Sequence, residues 1–308
     1  MKHKLINWLL FITLCLIWGS SFVIMKEGLK GLTAYQVATL RMLSAGIVLL
    51  PFAYKALKNV PSNRLGLVIL SGFIGSFFPA YLFCIAETKI DSSLAGILNA
   101  FTPLFTILTG LLFFKMKILT TKKSLGIIIG FTGLLLLFTS NGHLDFKNFS
   151  YSALILLATL FYALNLNLVG RKLHEVGSLN IATIAFVFLI IPCLVILYFT
   201  GYFSLPMGTA TFLFSTVASV VLGIMGTAAA SVLFYLLIKR AGALFSSMIS
   251  YVIPIVAVCW GLLLDEQITK MEIASLGIIL TGVYLVNSNN NPFSRSIKSK
   301  ERIVESDF

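Results

Sequence analysis

The sequence predicts an all-α integral membrane protein of ten transmembrane helices, arranged as two inverted five-helix repeats. Three observations predict it: an apolar composition, ten apolar stretches of bilayer length, and a match between the two halves of the chain. Of 308 residues, 58% are hydrophobic and 11% are charged, against roughly 45–50% and about 25% in a soluble domain. So few charged side chains cannot clothe a water-facing surface of this size. A soluble domain, a disordered chain and a disulfide-framed chain are excluded.

A bilayer core takes roughly 20 apolar residues per helix. Stretches of that size cover about 5–26, 33–54, 65–86, 92–114, 121–140, 149–170, 179–200, 210–238, 243–264 and 271–288. The first follows Lys2 and Lys4 as a secretory signal would, but it has no small-x-small cleavage site and holds Trp18, so it reads as a helix. With the N-terminus placed inside, seventeen Lys and Arg fall on inside segments, among them Lys55, Arg64, Lys115, Lys122, Lys123, Arg171 and Lys172. Five fall outside: Lys26, Lys30, Lys89, Lys147 and Lys270. That bias places both termini in the cytoplasm of a multi-pass cell (inner) membrane protein. The net charge of +12 is then a topology signal, and no nucleic-acid partner is expected. Residues 289–308 carry an Asn run and no apolar period, which predicts a disordered cytoplasmic tail.

The halves, 5–140 and 149–288, match without a gap at an offset of 151 residues. Ala95, Asn99, Pro103 and Gly110 pair with Ser246, Ser250, Pro254 and Gly261, and Gly126 meets Gly277. Five spans per repeat is an odd number, so the second copy enters the membrane in the opposite sense. The loops agree, being Lys-rich after span 4 and carrying Asp265, Glu266 and Glu272 after span 9. Inverted repeats of this kind build secondary transporters, with the site near the midplane between the halves.

At these residues the chain resembles EamA-type proteins of the drug/metabolite transporter superfamily. The resemblance rests on Trp18-Gly-Ser-Ser-Phe22, on Arg41 in span 2, and on the A-x-x-x-(S/N)-x-x-x-P pattern of spans 4 and 9. It covers about residues 5–288. It implies export or exchange of small metabolites, often amino acids, by alternating access, with spans 1, 3, 4, 6, 8 and 9 lining the path. One departure is Lys115, which stands where the second half has Glu266 and the family usually has an acidic residue.

Polar groups inside a bilayer are costly unless paired or facing a cavity, so those in mid-span are the informative ones. Asn99 and Pro103 share a helix face in span 4, and Ser246, Ser250 and Pro254 share one in span 9. A mid-helix proline frees the carbonyl four residues earlier, here that of Asn99 or Ser250. These residues fit a symmetric pair of substrate contacts, or kinked helices packing through small residues. Tyr162 and Asn165 share a face of span 6 and point to the same cavity, while Asn167 points elsewhere. Trp18 and Ser20 in span 1 complete the expected substrate-binding set. Tyr81 and Tyr235 read as interfacial belt residues in preference to gates.

Charge inside the spans is sparse. Arg41 is expected to pair with Glu27 or Glu87, and it could instead meet an anionic substrate or snorkel outward. Arg41 and Glu87 are the charge or gate candidates, and Glu87 is the carboxylate left for any ion coupling. Cys15, Cys84, Cys193 and Cys259 read as small core residues. No phosphate-binding loop, metal-ligand set or catalytic triad is spelled by the sequence, so no cofactor, metal or enzymatic role is expected. The expected partners are a small-molecule substrate and the lipid bilayer. Gly126, Gly130 and Gly133 in span 5 fit bundle support or a homodimer contact. The alternative to solute transport is a lipid scramblase or flippase-like protein, which needs a polar groove open to lipid.

Overall fold

A computed structural model describes residues 2–114, 121–139, 146–206 and 208–287. The expected tail over 289–308 and the departure at Lys115 lie outside the described residues. Hydrocarbon offers a peptide group no hydrogen bond, so a chain of this composition must satisfy its backbone within helices. The described residues are accordingly helical almost throughout, with no strand among them.

In chain order the helices are α1 (Lys2–Leu29), α2 (Ala34–Asn59), α3 (Ser62–Ala86) and α4 (Ser92–Phe113). They continue as α5 (Thr121–Thr139), α6 (Phe146–Lys172), α7 (Ser178–Phe199), α8 (Ala210–Ala241) and α9 (Phe245–Leu263), then α10 (Lys270–Asn287). Eight of them are long and apolar enough to cross a bilayer, α1–α4 and α6–α9, and α5 holds a shorter apolar helix over Ser124–Leu136. Local chemistry sets the ends. Thr33 and Gln36 form a reciprocal capping box at the start of α2, and the Gln36 amide goes on to donate to the Thr200 carbonyl at 2.9 Å. Thr209 caps α8 by accepting from the Phe212 backbone N–H.

The halves are interleaved. α1 packs on α8 and α9, α2 on α7 and α8, α3 on α6 and α7, α4 on α6 and α9, and α5 on α10. Exchanging each helix for the one five places along leaves these principal contacts unchanged, which is a pseudo-two-fold pattern. Six of these helices are interrupted: α2 by a 3-10 turn at Leu50–Phe52, α7 at Phe188–Leu189, and four that contribute to the centre. α4 breaks at Ala100–Phe101 and α9 breaks at Met248. α3 and α8 each pass through a π-helical turn, at Phe73–Phe77 and Ile224–Ala229. The two π turns begin 151 residues apart, and so do Gly72 and Gly223, and Gly75 and Gly226.

One expectation is corrected here, that of Cys259 as a core residue, and one is given its partner: Gly126, Gly130 and Gly133 lie where α5 seats α10 of the same chain, the bundle support read for them. A Cβ on Gly282 would overlap the backbone of Gly130 and the carbonyl of Gly126, and one on Gly133 would meet Ile279 and Ser275. Without side chains at these points the two helix axes come close, and dispersion contacts replace the missing hydrophobic drive. Cys259 is exposed, whereas Cys15, Cys84 and Cys193 are buried. The glycine seam makes a direct prediction. Gly282→Ala lowers thermal stability in detergent by about 1–3 kcal/mol through overpacking, while Gly66→Ala, which meets nothing within 4 Å, does not lower it and gains up to about 1 kcal/mol from helix propensity. Equal melting of the two variants would remove the seam as the α5–α10 contact.

Candidate functional site

An α-helix turns 3.6 residues at a time, so positions 18, 21, 22 and 25 make one stripe and position 20 falls off it. In the structure that stripe of α1 (Trp18, Ser21, Phe22 and Met25) walls an internal cavity. The cavity holds about 900 Å³ of empty space, the part open to solvent included. Residues from both halves wall it, and they come from the interrupted stretches of α3, α4, α8 and α9 together with α1, α2 and α6.

Of the expected substrate-binding set, Trp18, Asn99, Tyr162, Asn165, Ser246 and Ser250 stand in this wall. Ser20 does not. It accepts a 2.9 Å hydrogen bond from the Trp260 indole on α9, and Ser21 takes the place in the wall. The Trp18 indole N–H donates across the halves to the carbonyl of Gly226 at 2.9 Å, and its ring meets Phe234 edge-on at 4.8 Å. Tyr162 stacks on Phe83, and its hydroxyl has no hydrogen-bond partner among the described residues.

The helix break in α4 places Asn99 at the end of a turn. Thr102 Oγ1 donates to the Asn99 backbone carbonyl at 2.9 Å and reaches its side-chain oxygen at 3.4 Å. The carbonyl expected to be unpaired is therefore capped by a hydroxyl, and what remains for the cavity is one end of the Asn99 amide. Pro103 sits just past the break, at the start of a helix where a missing N–H is harmless. Pro254 lies inside its helix and has no N–H to offer the Ser250 carbonyl. Ser246 bonds back to the Gly242 carbonyl at 2.9 Å.

On α6, Asn165 Oδ1 accepts from Ser71 at 2.7 Å, and the Tyr235 hydroxyl engages the same two residues. Asn165 has room only because Gly75, in the π turn of α3, lacks a Cβ. Asn167 does point elsewhere: its amide donates to the Thr106 carbonyl and to Thr109 Oγ1 and ties α6 to α4. Tyr235 was expected at an interfacial belt. It is 2% exposed and walls the cavity, because α8 runs 32 residues and carries it inward of the helix end. Tyr81 is held between α2 and α3 by a 2.6 Å bond with Thr39.

The two charge candidates part company. Arg41 is not ion-paired: among the described residues no carboxylate lies within 4.0 Å of it. Its Nε donates to Thr227 Oγ1 at 2.6 Å, and it stands in the cavity wall. The cause is the contact of α2 with α8, where Gly223 admits the Ser44 hydroxyl and the Arg41 carbonyl so closely that Arg41 faces the π turn. Glu27 pairs with Lys30 instead, at 2.7 Å. Glu87, one residue beyond the third span, is 3% exposed and lies outside the wall. Neither of its carboxyl oxygens has a hydrogen-bond partner among the described residues, and burial, seconded by Glu266, pushes its carboxyl well above the usual carboxylate range, opposed by Lys26 and Arg41.

Two further contacts, outside the cavity wall, join the halves at opposite ends of the bundle. At the acidic end the Glu266 carboxylate accepts the backbone N–H groups of Ser92 and Ser93 at 3.2 and 3.1 Å, so one half caps the first turn of α4 in the other. At the basic end Arg240 Nε donates to Asn7 Oδ1 at 2.9 Å. Sequence reasoning missed the wall residues Gly75, Ser76, Gly226, Thr227, Ser231 and Phe234. The signal was present, since Gly72, Gly75, Gly223 and Gly226 obey the 151-residue offset.

Interleaved spans around a cavity walled by both halves define a polytopic membrane protein. The chain belongs to the EamA-like transporter family, whose profile matches residues 5–139 and 150–288; it is a family of transporters, not enzymes. Among similar proteins, an uncharacterized inner membrane transporter of Escherichia coli, YedA, is 28% identical over 285 residues, covering 89% of this chain and 88% of its own. The uncharacterized transporter YdfC of Bacillus subtilis is 26% identical, covering 92% and 93%. A protein of Escherichia coli named a probable amino-acid metabolite efflux pump is 27% identical, covering 87% and 90%. A solved crystal structure shares the fold with a TM-score of 0.61 at 15% identity, over 91% of this chain and 96% of that one.

Two outcomes test the site. The folded chain holds a proton on Glu87 at pH values where the unfolded chain has lost it, so stability falls as pH rises above the ordinary carboxylate range. Glu87→Gln removes that loss: at pH 8 the variant melts above the wild type by on the order of 1 kcal/mol, a few degrees, and the gap closes near pH 5. Parallel melting profiles from pH 5 to 8 would contradict the burial of this carboxyl. In a Cys259→Ser background, single cysteines at 99 and 250 react with methyl methanethiosulfonate faster than one at Leu112, which is 76% exposed on the outside of the bundle. The thiolate forms only where water reaches, and equal rates would take both positions out of the cavity.

Proposed function

We propose that this protein is a secondary transporter that exports a small organic metabolite, an amino acid or a similar compound, by alternating access. The observation that carries the reading is the cavity whose wall is shared by the two halves at their interrupted helices. Irregular backbone at membrane depth is tolerated where it lines a cavity, and repeats that rock about such a site expose it to one side at a time. The repeats are residues 5–140 and 149–288, with both termini cytoplasmic as the Lys and Arg bias indicates. Trp18, Asn99, Tyr162, Asn165, Ser246 and Ser250 are the substrate contacts of this reading, with Pro103 just past the break in α4 and Pro254 inside α9. Export is favoured by the relative named an efflux pump. The Glu266 cap on α4 and the Arg240–Asn7 bond are contacts that must alternate as the halves rock.

The test compares spent medium from cells expressing the wild type, an Asn99→Ala/Asn165→Ala double variant at matched membrane levels, and neither. A metabolite enriched at least several-fold by the wild type alone is the expected result. Enrichment by both proteins keeps export and discards these two contacts. Enrichment by neither, with labelled lipid scrambled in proteoliposomes, replaces solute export by lipid movement.

A further inference from the structure

We infer that the transported solute carries a carboxylate, and that Arg41 binds it; this deepens the transport reading and rests on it. Arg41 is the residue of full charge among those that wall the cavity. A guanidinium presents five N–H donors and does not shed its proton in a protein. One donor, at Nε, is taken by Thr227 Oγ1 at 2.6 Å. That hydroxyl is aimed by the π turn, because it donates to the carbonyl of Leu222 five residues back at 3.3 Å and keeps a lone pair for Arg41. The donors on the two terminal nitrogens have no partner among the described residues.

Among the described residues no carboxylate forms an ion pair with this charge. Glu27 is paired with Lys30, Glu266 caps α4, Asp91 holds Lys26 at 3.1 Å, and Glu87 lies outside the wall and beyond 4.0 Å. A cation 9% exposed in an apolar bundle, with no carboxylate within 4.0 Å among the described residues, is a costly arrangement that a bound anion relieves. Two parallel N–H groups fit the two oxygens of a carboxylate. One guanidinium offsets one negative charge, which a monoanionic carboxylate carries and a phosphate dianion exceeds. The remaining wall suits the body of such a solute, with Trp18, Phe22, Phe83 and Phe234 offering aromatic faces and Asn99 and Tyr162 neutral polar ends.

Three probes share one ring and differ in charge: 3-phenylpropionate is an anion, L-phenylalanine a zwitterion and phenethylamine a cation. Binding to the purified wild-type protein is read as thermal stabilisation in detergent, and movement as efflux from proteoliposomes. The expected result is stabilisation by the two carboxylates with half-saturation about tenfold or more below that of phenethylamine. Arg41→Gln loses that advantage and Arg41→Lys keeps part of it. Thr227→Val, which frees the guanidinium but leaves its charge, weakens carboxylate binding several-fold and serves should Arg41→Gln fail to fold. The inference is overturned by phenethylamine binding as well as 3-phenylpropionate, by carboxylate binding that survives Arg41→Gln, or by no response to any probe. A wild type that moves phenethylamine sinks the inference and keeps transport. Arg41-dependent binding without efflux of any probe keeps the carboxylate site and sinks transport.

Discussion

Hydrocarbon can solvate neither a peptide N–H nor a carbonyl, and the architecture follows from settling those groups inside the protein. Helices do most of it. Where a helix is interrupted, a specific side chain takes over the freed group, as Thr102 does for the Asn99 carbonyl and the Trp18 indole for that of Gly226. Both of these substitutions occur in the cavity wall. The interruptions there leave polar atoms facing the cavity, and neighbouring side chains supply the partners that let those atoms exist at membrane depth.

Close approach of backbones is the second requirement. Lipid tails are as apolar as the helices, so burial of apolar surface does not drive the helices together and contact distance decides. Gly223 lets α2 meet α8 tightly enough to turn Arg41 toward the cavity, and Gly75 leaves the space that Asn165 fills. Gly282 locks α10 onto α5. A glycine in a helix is weak in itself, and here each one sets the placement of a functional side chain or of a whole helix.

The all-α membrane class was legible because it depends on composition and run length, quantities a single sequence displays directly. Asn99, Ser250, Tyr162 and Asn165 were legible as cavity residues because a polar group in mid-span needs a reason. The misses have physical causes. Ser20 and Ser21 are both polar and adjacent, and only the rotation of α1 separates wall from helix contact. Tyr235 looked interfacial because its distance from the membrane edge depends on a helix longer than the apolar run suggests. Arg41 was expected to pair with a carboxylate because the π turn that offers Thr227 has no apolar period to betray it. The glycines of span 5 gave a sticky face without saying whose face it would meet.

The principal contacts between the halves are unchanged when the halves are exchanged, yet the position 151 residues after Arg41 is Pro192. Two separate copies of one half, paired antiparallel, would bring two guanidiniums to a single cavity. Fusing the halves into one chain releases the second position from that obligation. Duplication followed by divergence thus allows a nearly symmetric frame to carry one positive centre, and with it a cavity whose wall is charged on one side alone.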